Sequence, residues 1–84
     1  MMIFLNKELM TLFYNLNANI RFLRKKHSYT QAKLAELLGI KLQSFKNFES
    51  GSVNTSLEVL DKLHNLFNIS LDDLVYKDLS SSEE

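Results

Sequence analysis

The stretch from Thr30 to Gly51 restricts this chain to two short helices joined by one tight turn. Thr30 is a good N-cap, because its hydroxyl can accept from the free N–H groups of a first helical turn. Leu34 and Leu38 then recur at helical spacing, and Gly39 sits where the chain must reverse. Glycine tolerates the left-handed backbone such a reversal needs. Ala35 lies four residues before Gly39, where a crossing helix leaves no room for a larger side chain. Leu34, Leu38, Ile40, Phe45 and Phe48 supply the apolar seam between the pair, which ends at Gly51.

The flanks read as helices too. Leu5, Leu9, Leu12, Phe13, Leu16, Ile20 and Leu23 recur at three- and four-residue spacing, which predicts a first helix from near Asn6 to Lys26. Helix two runs to about Leu37 and helix three from about Leu42 to Glu49. Ser52-Val53-Asn54 is a surface loop. Thr55 with Glu58 reads as a capping box opening helix four, whose stripe is Leu57, Leu60, Leu63 and Phe67. Ser70 with Asp73 opens a short fifth helix with Leu71, Leu74 and Val75 as its apolar face. No proline and no strand-like alternation interrupts the pattern. The fold class is therefore all-α, one domain over residues 1–79 with its core at about 16–76, and a disordered acidic tail at 80–84.

Composition narrows the function. At 84 residues there is no room for both a binding module and a sizeable sensing domain. There is no cysteine, and His27 and His64 stand apart from any carboxylate cluster, so neither a metal nor another cofactor is expected. No nucleophile stands beside a base, so an enzyme is not expected. Met1–Leu5 is apolar but too short for a membrane span and lacks a basic start, which favours the cytoplasm. Net charge is zero, yet it is unevenly spread. Between Ile20 and Phe48 seven bases face one acid, Glu36, for a local charge of 7 − 1 = +6. A basic block of this kind suits a polyanion such as DNA.

Periodicity also selects an outward face on helix three. With Phe45 and Phe48 turned inward, Leu42, Gln43, Lys46 and Asn47 face out. Paired amides four residues apart can read adenine edges, leucine can meet a thymine methyl, and lysine can reach a guanine or a phosphate. Gln31, the first residue of helix two, stands beside free N–H groups suited to a phosphate. Lys41, Ser44, Ser50, Ser52 and Asn54 are further phosphate candidates along the same edge.

Six fragments stand in one order and spacing: Ile20-Arg21-Phe22-Leu23-Arg24, Tyr29-Thr30-Gln31, Leu34-Ala35 with Gly39-Ile40, Phe48-Glu49-Ser50-Gly51, Ser56 to Leu60, and Asn68 to Leu74. Together they resemble the Cro/cI-type, or Xre-like, helix-turn-helix family from about Asn19 to Tyr76. The resemblance implies a five-helix, lambda-repressor-like DNA-binding domain, here with an extended first helix. It implies a homodimer on palindromic double-stranded operator DNA. Base contacts then fall on Leu42, Gln43 and Asn47, and Gln31 holds a phosphate. Arg24 and Glu49 match positions that form a structural ion pair between helices one and three. Leu74, Val75, Tyr76 and Leu79 could form a C-terminal dimer interface, with the apolar N-terminal extension as the other candidate. Several residues depart from the pattern. Lys41 replaces a small N-cap, Phe45 and Phe48 replace aliphatics, Ser28 replaces a glycine and Thr55 a proline.

Two functions compete. A transcription regulator, most simply a repressor, is favoured by the basic block, Gln31, Gln43 and Asn47. A protein-interaction module or antitoxin, holding a protein partner on the same fold, is favoured by the apolar start and zero net charge.

Overall fold

The computed structural model describes residues 15–53 and 55–82. These form five α-helices and a closing 3-10 turn, with no strand among the described residues. Helix α1 covers 15–26, and its predicted start at Asn6 lies outside the described residues. Then come α2 (Gln31–Leu38), α3 (Leu42–Ser50), α4 (Leu57–Phe67), α5 (Leu71–Tyr76) and the turn Leu79–Ser82. No helix among them is long and apolar enough to cross a membrane.

One core joins all five. Leu16, Ile20 and Leu23 enter from α1, Leu34, Ala35 and Leu38 from α2, and Phe45 from α3. Val59 and Leu63 of α4, Leu74 of α5 and Leu79 complete it. Each such leucine, isoleucine, valine or phenylalanine side chain contributes about 1.5–3 kcal/mol by leaving water. Phe48 only packs against the core from its edge.

The helix ends follow local chemistry. Thr30 Oγ1 accepts from the Lys33 N–H at 3.0 Å, and Ser70 Oγ from the Asp73 N–H at 3.0 Å. Gly39 turns α2 into α3 at φ 72°, and the N–H of Ile40 returns to the Ala35 carbonyl at 3.0 Å. The left-handed cap thus fixes the angle of α3 against α2. Ser28 takes the same conformation at φ 60°, where an L-residue is strained and glycine is not. Lys62 Nζ donates to the Leu38 carbonyl at 2.9 Å, placing a cation at the C-terminus of α2.

Three expectations need correction. Helix α4 is capped by Ser56, whose Oγ accepts from the Val59 N–H at 3.2 Å, and not by Thr55. The Thr55 hydroxyl is buried without a hydrogen-bond partner among the described residues. The shift turns Leu57 out to 82 % exposure and puts Val59 in the core in its place. The 3-10 turn also takes in residues 80–82, the first part of the stretch read from the sequence as a disordered tail. Residues 83–84 lie outside the described residues.

The third concerns the proposed C-terminal dimer surface. Leu74 and Leu79 are buried in their own domain, which leaves Tyr76, 62 % exposed, and part of Val75. The cause is Asn19, itself 2 % exposed on the inward face of α1. Its amide donates to the carbonyls of Leu74 at 2.7 Å and Lys77 at 2.6 Å, and its oxygen accepts from the Leu79 N–H at 3.1 Å. One side chain thereby binds the C-terminal segment to α1 and spends its apolar residues on the core.

Candidate nucleic-acid interface

Helix α3 buries Phe45 and Glu49, and this sets the phase of all its other residues. Leu42, Gln43, Lys46 and Ser50 are exposed; Ser44 and Asn47 are half-buried at the margin. Gln43 Nε2 donates to Asn47 Oδ1 at 3.2 Å, so the two amides lie side by side along the exposed stripe. Each keeps donors and acceptors beyond that bond, enough for a bidentate pair with a base edge. Lys41 forms the cap position without a side-chain hydrogen bond, leaving the first N–H groups of α3 without a side-chain acceptor.

The other predicted residues surround this stripe. Lys41 is exposed beside its start. Ser50 and Ser52 are exposed after its end, their hydroxyls 2.9 Å apart. Gly51, at φ 86°, supports that end, its N–H returning to the Asn47 carbonyl at 3.1 Å. Asn54 lies outside the described residues. On α2, Lys33 and Glu36 pair at 3.3 Å on an exposed face, a contact worth little in water.

Gln31 is half-buried at the first position of α2, and its amide is already engaged. Nε2 donates to Glu49 Oε1 at 2.8 Å. The Glu49 side chain, 2 % exposed, also takes Arg24 Nε on Oε2 at 2.7 Å and Arg24 Nη2 on Oε1 at 3.2 Å. The remaining Arg24 bond runs from Nη1 to the Tyr29 carbonyl at 2.9 Å, in the turn that leads into α2. Arg24, 12 % exposed, is thus engaged in tying α1, the turn and α3 together. A bidentate pair of this kind holds its geometry better than a single contact.

Sequence reasoning passed over Arg21. Its Nε approaches Glu49 Oε1 at 3.8 Å with a side chain 56 % exposed. The available signal was its spacing of three from Arg24, which places both on one side of α1. Among the described residues no group of histidine and acidic side chains is placed to hold a metal ion.

Among the described residues, neither histidine joins a cluster of titratable side chains. His64 Nδ1 meets the Ile69 carbonyl at 2.6 Å, and since a carbonyl only accepts, the ring donates. His27 is exposed, with its ring centroid 4.9 Å from that of Phe67.

The helix-turn-helix family model matches residues 20–74. Curated relatives agree. The chain is 38% identical over 60 residues to the antitoxin PezA of Streptococcus pneumoniae serotype 4, covering 71% of this chain and 38% of PezA. It is 41% identical over 51 residues to the cryptic phage CTXphi transcriptional repressor RstR of Vibrio cholerae, covering 61% of this chain and 46% of RstR. It is 36% identical over 64 residues to the HTH-type transcriptional regulator ImmR of Bacillus subtilis, covering 76% of this chain and 50% of ImmR. The match therefore spans half or less of the length of these three relatives. No solved structure matches significantly. The chain belongs to the Cro/cI-type helix-turn-helix family.

Proposed function

We propose that this protein is a sequence-specific DNA-binding transcription regulator, a repressor that places α3 in the major groove of a palindromic operator. The observation that carries this reading is the exposed stripe Leu42, Gln43 and Lys46, with half-buried Asn47 at its margin, on a helix whose opposite side is locked by Phe45 and Glu49. Gln43 and Asn47 read bases, Leu42 meets a methyl group, and Lys46 reaches a guanine or a phosphate. Gln31, Lys41, Ser44, Ser50, Ser52 and Asn54 hold the backbone around them and set the register. A palindrome presents two half-sites about one DNA turn apart, so two copies bind one operator. The protein works in the cytoplasm, beside the DNA it reads.

The test is base-specific. Gln43→Ala and Asn47→Ala should each cost roughly 1–3 kcal/mol on the cognate duplex and little on a random one. Fluorescence anisotropy with both duplexes at one salt concentration measures this. Equal losses on the two would remove Gln43 and Asn47 from base reading.

The similarity to the antitoxin PezA favours a second reading, in which the same fold also holds a protein partner. Such a partner would leave the α3 stripe available to DNA only if it docks elsewhere. Competition between that partner and operator DNA separates the two arrangements.

A further inference from the structure

We propose that Arg21 of α1 grips a backbone phosphate jointly with Gln31, and that the buried Glu49 carboxylate is the post that positions both. The proposal rests on the DNA-binding reading above and adds a contact from a helix outside the helix-turn-helix pair.

Glu49 carries one negative charge and Arg24 already meets both of its oxygens. Arg21 therefore brings a positive charge for which the cluster has no further anion. Lys25, one helical turn on, lines the same open cleft of about 350 Å³ between α1 and α3 as Arg21, Glu49 and Ser50. At 3.8 Å the Arg21 Nε lies beyond hydrogen-bond reach of Glu49 Oε1, so this ion pair leaves its donors to be satisfied from outside. Such an exposed pair contributes little to stability, and a purely structural role is already filled by Arg24.

Gln31 supplies the second donor. A carboxylate only accepts, so the amino end of the Gln31 amide must face Glu49. That group has two N–H bonds, and the bond to Oε1 uses one. Arg21 Nε and Gln31 Nε2 share the same oxygen at 3.8 Å and 2.8 Å, so they lie within about 6.6 Å of each other. One phosphate group can bridge that span with a hydrogen bond to each side. Arginine suits this geometry because its planar fork presents several donors to a phosphate at once.

The experiment measures binding of the full chain to its selected duplex and to a random duplex across a salt series. Arg21→Ala should weaken both complexes by roughly tenfold and reduce the salt slope by about one, with an unchanged melting temperature. Arg21→Lys should restore the slope but only part of the affinity. Arg21→Ala with Gln31→Ala should lose less than the two single losses combined, because they share one phosphate. Normal wild-type binding with an unaltered Arg21→Ala slope overturns this proposal alone. A wild-type protein that binds no DNA overturns the interface reading along with it.

Discussion

Glu49→Ala is expected to lower stability by about 3 kcal/mol, a fall in melting temperature of roughly 12–24 °C for a domain of this size. The carboxylate is 2 % exposed and accepts from Arg24 twice and from Gln31 once. Its loss leaves the Arg24 guanidinium, 12 % exposed, without its counter-charge and too covered to regain full hydration. Removing one partner of a buried pair costs more than the pair contributes. Replacing both, Arg24→Met with Glu49→Leu, should therefore recover much of the loss. Thermal unfolding followed by circular dichroism reads both numbers. Single and double variants that melt alike would mean that the orphaned charge is not the cause.

The second large effect lies at the far end of α1. Asn19→Ala removes three hydrogen bonds that fasten the segment from Leu74 to Leu79. At about 0.5–1.5 kcal/mol each, the loss comes to roughly 2–4 kcal/mol. Asn19→Asp should fare no better at neutral pH, since a carboxylate cannot donate to the carbonyls of Leu74 and Lys77. The affected region is local, so the Leu79 amide should exchange with deuterium far faster in both variants. A loss of under about 3 °C in melting temperature, against the roughly 4–8 °C per kcal/mol expected, would show that other contacts hold the segment.

The helices were legible because their signals are local. Thr30, Ser70, Gly39 and Gly51 each act within one turn of their own position, and each ends or begins a helix where that chemistry requires. The one-residue shift at α4 has a physical source. Thr55 with Glu58 fits a capping box, but Ser56 is also a good cap, and burial of Val59 and Leu63 decides between them. Leu57, Leu60 and Leu63 carry helical spacing just as Val59 and Leu63 do, so spacing alone could not choose the phase.

Asn19 was legible in part. It lies three residues after Leu16 and four before Leu23, on the buried stripe of α1, where a polar side chain needs partners. Its partners, though, are backbone groups more than fifty residues away, and no local pattern names them. The same long-range closure explains why Leu74 and Leu79 are core and not interface. On the candidate interface, Phe45 fixed the outward face of α3 in advance. The convergence of Arg21, Arg24 and Gln31 on one carboxylate depends on how α1, α2 and α3 cross, which spacing along the chain does not state.

Selection of bound duplexes from a random DNA pool by the full chain tests the central claim most directly. The account predicts enrichment of one palindromic site with half-sites about one helical turn apart. It also predicts that Gln43→Ala and Asn47→Ala relax the preference at single positions in each half-site. A pool that stays random after repeated rounds, or enrichment that both variants leave unchanged, would contradict sequence reading by α3.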